Sequence, residues 1–161
     1  MYTSVQFIHS WWAYLTLFMV LIATLNSLVG FFGNKEYQPR DFRLSLFALI
    51  VTHIQFLIGL LLFFVSPSGM KSISDNGMGA IMKDSNLRLY AVEHPMVMIL
   101  TIVFITIGYS KHKKKLVSKP KFKVLAIFYT IALVFILSRI PWQQWFSYNW
   151  FGYSNNPLVL V

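Results

Sequence analysis

Four apolar runs, each long enough to cross a lipid bilayer, leave this chain few ways to fold. A membrane-spanning helix needs about 20 predominantly apolar residues. Residues 9–32, 42–65, 88–109 and 122–140 meet that length, the third starting at 95 if Pro95 opens it. Inside hydrocarbon every backbone N–H and C=O must be satisfied within the protein, and at this length an α-helix is the structure that does so. The links between runs are short, which predicts an all-α integral membrane fold, a four-helix up-down-up-down transmembrane bundle. The bundle is expected over residues 1–142. The aromatic segment 143–161 is too short to span after its polar stretch and is expected to lie on the outer surface or against another chain. Only 12% of residues are charged, against about 25% in a soluble domain. The first run is too long for a secretory leader and lacks a small-residue cleavage site before Lys35, so it is expected to stay in the mature protein.

Charge placement predicts an orientation. Of the 14 basic residues, ten fall in the first and third links: Lys35, Arg40, Arg43 and the seven lysines between 111 and 123. The opposite side carries Lys71, Lys83, Arg88 and Arg139. Basic loops face the cytoplasm, so both termini are expected on the outer side of a bacterial inner membrane. The net charge of +9 is thus read as a topology signal, not as nucleic-acid binding. His112, within the basic run, is expected to be solvated. Trp11, Trp12, Trp142, Trp145 and Trp150 suit the aromatic belt at the outer headgroups.

The link from Ser66 to Leu87 contains Pro67, Gly69, Gly77 and Gly79 and is expected to be a loop whose part 78–83 lies in the interface. Asp84 or Ser85 is expected to cap the next helix.

The chain has no cysteine, which excludes disulfides, thiolate metal sites, iron–sulfur clusters and covalently attached haem. Histidine, methionine and carboxylate remain as ligands. His9 stands at the outer end of the first run and His94 within about 10 Å of the outer end of the third. His53 lies about 18 Å deep in the second, from a rise of about 1.5 Å per residue. Glu93, Arg88 and Arg139 share the outer side. Ionisable groups within a span mark functional sites by default, and helix-to-helix hydrogen bonding has no reason to confine them to one half of the membrane.

Three cofactor readings stay open. Haem b is held by two axial imidazoles from different helices. Either His53 with His94, on neighbouring helices, or His9 with His94, on diagonal ones, would serve, with Arg88 and Arg139 for the propionates. Gly30 and Gly59 would admit a macrocycle near the backbone or simply let helices pack closely. His9, His53, His94 and Glu93 also suit copper, zinc or non-haem iron, although no paired spacing sets two ligands on one face. A quinone is the third reading, with Glu93 as its base. Against all three stands a structural role, with Glu93 pairing Arg88 or Arg139.

Several of these residues also carry a resemblance. His9-Ser10-Trp11, Thr52-His53-Ile54-Gln55 with Gly59-Leu60, Phe64-Val65-Ser66-Pro67, Met82-Lys83-Asp84 with Arg88, Val92-Glu93-His94, Ile107-Gly108 and Ile140-Pro141-Trp142 resemble, over residues 1–142, a four-span bacterial family loosely labelled "cytochrome B". The resemblance implies a haem-b membrane cytochrome. Pro95 after the Glu-His pair and the long aromatic tail depart from the family pattern. No nucleophile, cofactor loop or complete catalytic set is visible. The expectation is therefore an electron-transfer subunit, linked to quinol and a partner protein. The alternative is a non-catalytic subunit of a larger membrane complex or homo-oligomer. A stand-alone enzyme is not expected.

Overall fold

The computed structural model describes residues 1–142 and 145; the expected surface tail otherwise lies outside the described residues. All regular elements in the described residues are helical. They are α1 (Tyr2–Phe32), α2 (Pro39–Val65), α3 (Met70–Lys83), a short α4 (Ser85–Arg88), a π turn (Leu89–Glu93), α5 (His94–Lys113) and α6 (Ser118–Arg139). Four helices are long and apolar enough to cross a membrane, the third being the continuous stretch Ser85–Lys113. The protein is a multi-pass membrane helix bundle.

The helices form a ring in which α1 packs on α2 and α6, and α5 packs on α2 and α6. Each neighbouring pair is antiparallel. His9 meets Gln55 across α1 and α2, while Asn26 meets Asp41 at the other end of the same pair. Tyr129 on α6 donates its hydroxyl hydrogen to the Ser45 carbonyl on α2 over 2.9 Å, a strut across one diagonal.

Lipid is as apolar as leucine, so hydrophobicity does not decide which helix face turns inward; close packing of small residues does. The buried positions of α1 are Thr16, Val20, Ala23, Thr24, Ser27 and Gly30, and those of α2 include Ser45, Ala48, Val51 and Thr52. Both sets recur every three or four residues, the helical repeat. Large side chains such as Phe18, Leu25, Leu57, Leu61 and Val134 point outward. Four buried hydroxyls bond within their own helix: Thr24, Ser27, Thr52 and Thr101 each donate to the carbonyl four residues earlier.

Three expectations need correction. The segment after Ser66 is largely helical, as α3, interrupted at Gly77 where the backbone takes φ +75°, a conformation that favours glycine. The first helix begins at Tyr2, about two turns before His9. His112 is 1% exposed, so it is not solvated. The last turn of α5 folds it against Tyr37, Phe42 and Tyr109, with ring centres 5.0–6.0 Å apart. Burial pushes the neighbouring Tyr37 hydroxyl up to about 12. Asp84 caps α4 as expected, accepting from the N–H groups of Asn86 and Leu87 at 2.8 and 2.9 Å.

Pro95 neither starts nor breaks the third span. It sits just after the π turn, inside the continuous helix Ser85–Lys113. The π turn before it absorbs the change: the N–H of His94 reaches back five residues to the Leu89 carbonyl. Such one-residue insertions re-aim the side chains that follow and concentrate at functional sites.

Candidate functional site

Two histidines from diagonally opposed helices meet at one end of the bundle. His9 of α1 and His94 at the start of α5 have ring centres 6.2 Å apart and planes at 81°. The Nδ1–H of His94 donates to the Arg139 carbonyl over 2.8 Å. A carbonyl only accepts, so in the neutral ring this fixes the tautomer and leaves Nε2 with its lone pair. The acceptor is available because Arg139 closes α6, and the last carbonyls of a helix have no intrahelical partner.

His9 is held from α2. The Gln55 side-chain amide donates to the His9 carbonyl over 3.0 Å and lies 3.3 and 3.4 Å from the two ring nitrogens. One turn on, Gly59 makes room for the ring: a Cβ there would lie 3.0 Å from His9 Cε1. The Gln55 carbonyl oxygen is buried and has no hydrogen-bond partner.

These groups open onto a cavity of about 430 Å³, walled mainly by apolar side chains such as Ala13, Phe56, Phe63 and Met98. The size lies within the roughly 300–1,000 Å³ common for small-molecule and cofactor sites. The α3 segment contributes Ile73 and Met78 to one side.

Beside the cavity the π turn presents Glu93. Its carboxylate binds Arg88 Nε at 2.8 Å and Arg139 Nε at 3.2 Å, and Arg88 Nη1 also donates to the Met82 carbonyl at 2.8 Å. Two guanidinium groups against one carboxylate leave a net +1 there.

His53 is not brought to this group. Its Nδ1–H donates to the Leu49 carbonyl over 2.8 Å, and Nε2 faces Thr106 Oγ1 at 3.4 Å. Thr106 lies twelve residues beyond His94, about 18 Å along the helix. Among the described residues no three His, Asp or Glu side chains converge as a metal site.

Gln55 is the residue that sequence reading passed over. It is two positions from His53, about 200° around the helix, so only one of the two can face the cavity. Its signal was present: an amide within a span is costly unless hydrogen-bonded.

Comparison with family models, with curated proteins and with solved structures found no match.

Proposed function

We infer that this chain is a small haem-binding membrane subunit, a b-type cytochrome, with His94 and His9 as the residues that hold the haem. The observation that carries the reading is the His94–His9 pair. The two imidazoles approach within 6.2 Å from diagonal helices, one already locked by a backbone carbonyl. Metal-ligating histidines characteristically donate their second nitrogen in this way.

The donor set favours haem over a bare ion. Protein metal sites gather three or four side chains, and among the described residues only two imidazoles converge here. Haem would bring its own porphyrin nitrogens, so His94 and His9 would suffice as the protein's ligands. The site also fits the rest of the group. The cavity is apolar, Gly59 leaves space against the backbone, and the net +1 of Arg88, Glu93 and Arg139 favours propionate carboxylates at the rim. The resemblance to the "cytochrome B" family supports the same reading.

When bound, haem b supplies one-electron transfer. The protein's part is to orient His94 through Arg139, hold His9 through Gln55 and keep water out with α1, α2 and α3. With the ten-residue basic end in the cytoplasm of a bacterial inner membrane, the site faces the outer half of the bilayer. Haem held there would serve electron exchange between a quinol and a partner protein.

The test is the reduced-minus-oxidised absorption spectrum of the purified protein. A sharp haem-b α band is expected. A well-folded preparation that takes up no haem would overturn the reading and leave an accessory subunit of a larger complex. Elemental analysis of the same sample decides against, or for, copper, zinc or non-haem iron.

A further inference from the structure

The two ends of the bundle balance their charge differently. The histidine end carries Lys71, Lys83, Arg88 and Arg139 against Asp75, Asp84 and Glu93, a net +1. Three of its bases are ion-paired locally: Lys71 with Asp75 at 2.5 Å, and Arg88 and Arg139 with the one carboxylate of Glu93. The other end carries ten bases against Glu36 and Asp41, so the remaining +8 of the +9 total sits there.

Among the described residues no ion pair within 4.0 Å relieves that charge. Asp41 is buried and committed elsewhere, accepting from the Asn26 amide at 2.9 Å and the Gln38 N–H at 2.8 Å. Four lysines are instead held over aromatic rings. Lys111 lies 5.5 Å from the Phe128 ring centre, Lys113 5.2 Å from Tyr109, Lys119 5.7 Å from Phe31 and Lys121 5.0 Å from Tyr37. The rings belong to α6, α5, α1 and the first link, so the ammonium groups are distributed around the bundle end. A ring face attracts a cation without neutralising it. Each lysine is thereby positioned while its charge remains available to an anion.

We propose that this ring of lysines is a docking surface for anionic phospholipid headgroups. Position decides the partner. The lysines stand where four membrane-spanning helices end, at the depth of the headgroups, and basic clusters at that level bind anionic lipid. A soluble acidic protein or a nucleic acid would have to approach the same charges through the headgroup layer.

The experiment uses the purified full-length protein in micelles containing equal phosphatidylglycerol and phosphatidylcholine. Lipid retained after a delipidating wash is counted by mass spectrometry. The wild type is expected to retain phosphatidylglycerol several-fold over phosphatidylcholine. Substituting Lys111, Lys113, Lys119 and Lys121 by Gln is expected to abolish the preference, while the same four changes to Arg preserve it. Should the fourfold Gln variant not fold, Lys113→Gln and Lys121→Gln singly are each expected to weaken retention of phosphatidylglycerol by roughly fivefold, the worth of one basic side chain at an anionic surface. Equal retention of the two lipids by the wild type would overturn the proposal. So would undiminished retention in the Gln variants, or wild-type binding of an RNA oligonucleotide in preference to phosphatidylglycerol micelles.

Discussion

His94 and Arg139 are joined by one hydrogen bond, from the imidazole Nδ1–H to the carbonyl oxygen that ends α6, at 2.8 Å. The bond satisfies an orphan carbonyl at a helix terminus and sets which nitrogen of His94 can serve a ligand. His94→Ala is therefore expected to abolish the haem-b difference spectrum, and His9→Ala to abolish or shift it. His53→Ala is expected to leave it in place, because His53 faces Thr106 of α5, about 18 Å along that helix from His94. Loss of the band in His53→Ala with retention in His94→Ala would reverse the assignment.

The ion pairs of Glu93 are expected to matter less for stability than their geometry suggests. The side chains of Arg88, Arg139 and Glu93 are 33%, 42% and 29% exposed, so solvent screens them. Exposed pairs contribute about 0–1 kcal/mol. Glu93→Gln should lower unfolding stability by about 1 kcal/mol or less, an effect that shrinks in high salt, measured by denaturant titration in detergent.

Glycine sets the helix spacing at the basic end. A Cβ on Gly108 would lie 2.5 Å from Phe128 Cβ, an atom fixed to the α6 backbone, so the helices themselves would have to part. A Cβ on Gly30 would meet the ring of Phe122, which is buried and cannot swing aside. Gly108→Ala and Gly30→Ala should each cost about 1–3 kcal/mol, the usual range for overpacking. Thermal unfolding followed by circular dichroism checks this, and an unchanged Tm would refute the close approach.

The strut from Tyr129 to the Ser45 carbonyl is fully buried. Tyr129→Phe removes the donor and leaves the carbonyl with its helical partner, so the expected loss is about 0.5–1.5 kcal/mol. Denaturant unfolding of the two proteins measures it directly.

Orientation is open to a labelling test because the chain contains no cysteine. In intact cells a membrane-impermeant maleimide should label Asp75→Cys from outside and leave Lys115→Cys unlabelled until the membrane is opened. The reverse pattern would invert the proposed topology.

The sequence determined the spans, because a run of about 20 apolar residues leaves the backbone no alternative to a helix in lipid. It also determined the charge asymmetry, and it flagged His9, His94, Glu93 and both arginines as companions at one end. The inward faces were not read from it: the buried positions 16, 20, 23, 24, 27 and 30 of α1 do not stand out in hydrophobicity, since lipid-facing and core-facing positions are equally apolar. What only the tertiary structure decided was angle. Depth along a helix follows from residue count, but which way a side chain points depends on helix rotation and on local departures from the α repeat. The π turn at Leu89–Glu93 resets that rotation just before His94. Packing of α1 on α2 selected Gln55 over His53 for the cavity, and the end of α5 folded His112 inward among aromatic rings, where charge pattern alone placed it in water.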